Sequence, residues 1–222
     1  MRRIALSAGG FALACACAST HSDPASSAPD AGAPHVAATP TTAPPPPPPA
    51  FDAGFFDAGD AGDAGACNVR IDMPPLQGAM HVPEGTVVTY DSNPPSSGPH
   101  YPIWADFIEY SSPVPDGYLV HSEEHGAVLL LYDCPSGCDD LVAELRALRD
   151  AVPTDPLCDP SMGERVRIIL APRPDNDSPI AAAAWGNTYK ADCFDGASLA
   201  KFIADHYAQG PEDFCSPGQS TF

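Results

Sequence analysis

The run His121-Ser-Glu-Glu-His125-Gly126, a short way after Asn93-Pro-Pro-Ser-Ser-Gly-Pro-His100-Tyr101, brings three imidazoles and two carboxylates into one stretch of chain. Neutral imidazole is the commonest protein ligand for transition metals. Three such groups plus a carboxylate oxygen complete a site for copper or zinc. His100, His121 and His125 are therefore the candidate ligands, with Glu124 as the fourth donor or as the group that orients them. The plain alternative is structural: histidines beside prolines and glycines hydrogen-bond backbone carbonyls, and Asn93-Pro-Pro is a rigid turn. Metal-independent catalysis by the same groups is a third account. His81 is a secondary candidate, and of Met73, Met80 and Met162 the one beside it, Met80, is best suited to offer cuprous copper a thioether.

The backbone under His121–His125 decides what these side chains can share. On a helix, positions four apart lie on one face, so His121 and His125 would grip one ion beside Glu124, as in the inverted zinc-protease pattern His-x-x-Glu-His. Gly126 and an apolar run follow directly, Pro113 and Pro115 precede, and helical periodicity is weak. The expectation is a tight turn into a strand, with both imidazoles facing the loop that carries His100.

The elements around the motif read as follows. Thr86–Tyr90 is β-branched and alternating, a strand, and Asn93–Tyr101 is loop. Gly126–Tyr132 is a central strand, and Asp139–Val152 repeats Leu141, Val142, Leu145 and Leu148 at helical spacing until Pro153. Val166–Leu170 is a strand, Ile180–Tyr189 an alanine-rich strand, and Ser198–Tyr207 a helix striped by Leu199, Phe202 and Ile203, with His206 in a surface or cap role. The order β-α-β-β-α from Gly126 onward predicts a single α/β or α+β domain with a mixed sheet, in the element order of a thioredoxin-like tail.

Six of the eight cysteines, Cys67, Cys134, Cys138, Cys158, Cys193 and Cys215, fall in this domain, 67–222. An even number in an exported chain predicts three disulfides, with the pairing left open by sequence. Cys134-Pro-Ser-Gly-Cys138 sits between a strand and a helix, where redox proteins keep thiols activated by the helix N-terminus. Four competing cysteines favour a structural bridge closing that turn.

Met1-Arg2-Arg3 followed by apolar Ile4–Ala14 reads as an export signal over 1–20, too short for a permanent span. Phe11-Ala-Leu-Ala-Cys15 resembles a bacterial lipobox, which would lipidate Cys15 and anchor the chain to a membrane at the periplasm or cell surface. Residues 21–66, with six prolines over 44–49 and recurring Asp-Ala-Gly, cannot build a core and read as a tether. Loss of Arg2 and Arg3 with the signal leaves 8 basic against 29 acidic groups, a net charge of −21, which excludes nucleic-acid binding by phosphate neutralisation. No serine nucleophile elbow, phosphate-cradling loop or dinucleotide fingerprint is present.

Tyr90-Asp-Ser-Asn-Pro-Pro-Ser-Ser-Gly-Pro-His-Tyr101, Leu119-Val-His-Ser-Glu-Glu-His-Gly126, Leu170-Ala-Pro-Arg-Pro174, Ala184-Trp-Gly186 and Phe202-Ile-Ala-Asp-His-Tyr-Ala-Gln-Gly-Pro-Glu212 together resemble the bacterial family called domain of unknown function 3105. The resemblance implies an exported or membrane-tethered protein and no established activity. The family's usual His-x-Leu-Glu-His-Gly carries Glu123 here in place of leucine, which leaves Glu124 as the matching carboxylate and questions whether the position is buried. Three functions follow: a lipid-anchored envelope protein with a histidine-based metal site, a thiol-disulfide oxidoreductase or metal hydrolase, and a non-catalytic envelope interaction module.

Overall fold

The computed structural model describes residues 67–222. The expected signal over 1–20 with Cys15, and the tether over 21–66, lie outside the described residues. The described elements run β1 (Val69–Asp72), α1 (Asp116–Glu124), β2 (Val128–Tyr132), α2 (Asp139–Ala151), β3 (Ile168–Pro172), β4 (Ile180–Ala184), β5 (Asn187–Ala191) and α3 (Gly196–His206), with a short 3-10 turn at Pro160–Met162. The strands form one mixed sheet in the order β1-β5-β4-β2-β3. β2 and β3 are parallel, joined across α2, while β2–β4, β4–β5 and β5–β1 are antiparallel.

β2 is apolar at every position because both of its faces are covered. Val128 and Leu130 face a layer made by Leu145 and Leu148 of α2 and Leu199, Phe202 and Ile203 of α3. Leu129 and Leu131 face Tyr101, Ala105, Phe107, Val114 and Leu119, contributed by α1 and the long segment before it. Three disulfides staple this sandwich, Cys67–Cys193, Cys134–Cys138 and Cys158–Cys215. The first joins the start of β1 to the chain just beyond β5 across 126 residues of sequence, a loop long enough to remove several kcal/mol of unfolded-chain entropy, about 4–5 by loop-closure scaling.

The mixed α/β domain matches expectation, and three local assignments are corrected. His121–Glu124 is the end of a helix, α1, not a turn into a strand. Residues Gly117 to Glu124 of α1 are all buried, so it has no polar face and no amphipathic period to detect. Pro115 stands at its N-cap, where a missing N–H costs nothing. Gly126, at φ 83°, ends the helix: its N–H reaches Glu123 O at 2.9 Å and that of Ala127 reaches Ser122 O at 3.0 Å, the paired bonds of a Schellman motif. Thr86–Tyr90 joins no ladder, and Val87 is 95 % exposed, so β-branching there met no partner edge. Ile180–Tyr189 is two strands, with Trp185-Gly186 as the turn between β4 and β5, and β1 gave too short a signal to detect.

One buried cation ties the far end of the sheet to the C-terminal strap. Arg167 is 1 % exposed, donates to Asp155 at 2.9 Å and to Asp213 at 2.7 Å, and its Nη1 also reaches the carbonyl of His125 at 3.0 Å. Tyr207 completes the cluster by donating to Asp155 at 2.8 Å. Removing one partner of a buried pair leaves the other charge uncompensated. Arg167→Met is therefore expected to lower the unfolding free energy by about 3–5 kcal/mol in a denaturant titration; a loss below about 1 kcal/mol would show the network to be dispensable.

Candidate metal centre

α1 carries His121 and Glu124 one turn apart, and its C-terminal end presents both to the segment holding His100. His100 is brought there by backbone pairing: its N–H donates to Met80 O at 3.0 Å, and the N–H of Val82 donates to His100 O at 2.8 Å. That isolated parallel bridge sets His81 directly beside His100. Glu124 Oε2 then lies 2.9 Å from His100 Nε2, 3.8 Å from His81 Nε2 and 3.9 Å from His121 Nε2. The three rings form a near-equilateral triangle with centroids 4.8–4.9 Å apart. A tetrahedral ion with bonds of about 2.05 Å has donor-to-donor edges of about 3.3 Å, and the observed separations bracket that value.

The tautomers of two of these rings are fixed by partners that can only accept. Nδ1 of His100 lies 2.8 Å from the carbonyl of Gly98, and Nδ1 of His121 lies 2.6 Å from that of Tyr101. Each Nδ1 must therefore carry the proton, which leaves each neutral Nε2 with a bare lone pair turned toward Glu124. Burial holds both imidazoles below their ordinary value of 6.5, and burial likewise raises Glu124 above the usual carboxylate range, with Glu212 adding to the rise. Nε2 of His100 is buried and has no hydrogen-bond donor facing it. Without metal, one proton shared between Glu124 and His100 satisfies both lone pairs; a cation at the centre satisfies four donors at once. Trp104 packs on the edge of the group, 5.3 Å from the His121 ring and 4.7 Å from that of His125, and is itself fixed by a 2.9 Å bond to Ser216 O.

The structure brings His100, His121 and Glu124 together as the sequence suggested, and adds His81, which had ranked second. His125 does not join that group. Its ring packs on that of His121, centroids 4.7 Å apart, and its Nε2 lies 3.2 Å from Glu212 Oε2, so that Glu124, His125 and Glu212 make a second cluster of donors within 4.8 Å of one another. Burial and the neighbouring imidazoles push the His125 pKa down to about 3. His206 lies at the end of α3, its ring 4.6 Å from that of Phe202, outside both groups. Met73, Met80 and Met162 are exposed. Sequence reasoning passed over Glu212 and Trp104 as site residues; Trp104 follows the His100 motif by four residues and carried no ligand signal of its own, and only the folded strap brings the distant Glu212 to the site.

Residues 81–218 match the family described as Protein of unknown function, DUF3105. The chain belongs to that family. The matched region begins at His81 and runs past Cys215, so every donor of both clusters is inside the DUF3105 domain. No curated protein and no solved structure matches the chain.

Against the leucine usual in the DUF3105 motif, Glu123 is fully buried and both of its carboxylate oxygens lack partners. Burial, with Asp116 adding to it and Arg173 only partly opposing it, pushes its pKa well above the usual carboxylate value of 4.5, so the side chain is held as the neutral acid. The folded state thus binds a proton more tightly than the unfolded chain. Its stability is greatest below pH 4.5 as far as this group is concerned, and is lost as pH rises toward the folded value. Glu123→Leu is expected to stabilise the protein by about 1–3 kcal/mol at neutral pH, the usual cost of an unpaired buried polar group, and to gain more at pH 8 than at pH 5. Thermal melts at the two pH values check both the sign and the slope.

Proposed function

We propose that this protein holds a transition-metal ion, copper or zinc, between Nε2 of His81, His100 and His121 and a carboxylate oxygen of Glu124, and does so in the cell envelope as an exported protein anchored through lipid on Cys15. The observation that carries the metal assignment is the convergence of bare, desolvated lone pairs on one point, with His100 and His121 locked in the Nδ1–H tautomer by backbone carbonyls. Imidazole and carboxylate donors suit both metals. Four protein donors leave no open position on a tetrahedral ion, which favours holding or handing over the metal above using it for hydrolysis. The anchor rests on the sequence alone, on Met1-Arg2-Arg3, the short apolar run and Cys15.

Thiol-disulfide exchange has one observation in its favour, the Cys134–Cys138 bridge at the partly exposed start of α2. Asp133, Asp139 and Asp140 flank that bridge and oppose a thiolate, which keeps the redox role second.

The mature protein, produced in an oxidising compartment without a histidine tag or chelator, is expected to carry near-stoichiometric copper or zinc by elemental analysis, and His121→Ala is expected to remove it. A folded, disulfide-bonded protein that neither carries nor takes up metal would sink the assignment and leave the histidines as scaffold. Loading should raise the melting temperature at pH 7, and the gain should vanish on acidification as protons displace the ion from the imidazoles. The metal-free protein loses stability in the same direction. Because burial lowers His100 and His121 from 6.5, the unfolded chain takes up protons below that pH that the folded one refuses. Fatty-acid labelling in a bacterial host checks the anchor: label should disappear in Cys15→Ala.

A further inference from the structure

Glu124 belongs to both donor clusters, the one with His81, His100 and His121 and the one with His125 and Glu212. We propose that the centre is dinuclear: Glu124 bridges two divalent ions, and the second is held by His125 and Glu212. This rests on the metal assignment of the first cluster and extends it. The rings of His121 and His125 pack directly on one another, centroids 4.7 Å apart in a T-shaped pair, so the two donor groups that share Glu124 adjoin, as the ions about 3.5–4 Å apart in two-metal sites require.

The second cluster is built, not a chance meeting of surface acids. His125 is 2 % exposed and turns Nε2 to Glu212 at 3.2 Å, while no partner at its buried Nδ1 commits the ring to the tautomer that would protonate Nε2. Glu212 is held by its backbone, its N–H donating to Glu124 O at 2.9 Å. The strap that carries it is locked against α1: Ala208 N–H donates to Gly126 O at 2.9 Å, and a side chain at Gly210 would meet Glu124 O and the Gly126 nitrogen. Asp213, the next residue, is pinned by Arg167 at 2.7 Å, and Cys215 is bonded to Cys158. These ties fix Glu212 opposite His125 although its side chain is 60 % exposed.

The electrostatics permit a second cation. The nearest fixed positive charge, Arg167, is offset by Asp155 at 2.9 Å and Asp213 at 2.7 Å. Glu124 and Glu212 bring two carboxylate groups, and the exposed side of Glu212 leaves room for water to complete the second ion's coordination.

Metal-stripped mature full-length protein dialysed against zinc(II) is expected to retain two equivalents by elemental analysis, and Glu212→Gln and His125→Gln are each expected to retain one. Glu212 is largely exposed, so its variant should fold even if that of His125 does not. One equivalent in the wild type, unchanged in Glu212→Gln and lost in His121→Ala, would overturn the second site while leaving the first intact. No zinc in any form would overturn both. Loading with copper(II) tests the bridge itself: a half-field electron paramagnetic resonance signal is expected from the coupled pair and should be absent in Glu212→Gln. Two equivalents that both give the full-intensity signal of isolated copper(II) would put the second ion elsewhere and overturn the proposal.

Discussion

The burial of α1 is the constraint on which the rest depends. A helix bearing His121, Ser122, Glu123 and Glu124 is covered by the sheet on one side and by loop and strap on the others, so each polar side chain has lost water and needs a partner. Ser122 is satisfied through the backbone, accepting from Ala105 N–H and donating to the Ala105 and Tyr118 carbonyls at 3.1 Å. His121 satisfies one nitrogen with the carbonyl of Tyr101. Glu123 is left without partners, and the remaining unmet capacity lies at the helix C-terminus, where Nε2 lone pairs and the Glu124 carboxylate face one another. The partial negative charge of that helix end adds to the same field, and all of it favours a cation.

The segments that close over α1 are placed by non-local backbone pairing and by the Arg167 cluster. The bridge between residues 81 and 100 delivers two imidazoles, and the strap from Ala208 to Asp213 delivers a carboxylate. Glycine is needed at two of these close approaches. At Gly126 the positive φ and the contact with Ala208 both exclude a side chain, and at Gly210 there is only backbone within reach. The donors are thus presented by segments that are ordered for reasons of packing, so little ordering cost falls on ligand binding.

Much of this was legible in the sequence, and the failures have a common cause. β2, β3, α2 and α3 announce themselves because their burial is either complete along a strand or confined to one helical face. α1 does not, since a short helix buried all round has neither signature, and its flanking prolines and Gly126 look like loop punctuation when they are in fact its caps. The pair His100 and His121, with Glu124, could be nominated from residue type and spacing. His81 could only be ranked, because what promotes it is a two-bond parallel bridge with no sequence mark. The burial of Glu123 runs against its type, and Glu212 acquires its meaning only through the strap.

The four donors of the first cluster are unequal, and the inequality bears on how an ion would be exchanged. His100, His121 and Glu124 are buried and held by backbone, whereas the His81 side chain is 53 % exposed. If the centre holds an ion, His81 is the donor at which an incoming ligand would first compete, because it is the one exposed to solvent. A buried tripod with an exposed fourth arm suits a site that takes up and yields its metal more than one that keeps it as a permanent staple of the fold, a role the three disulfides already fill.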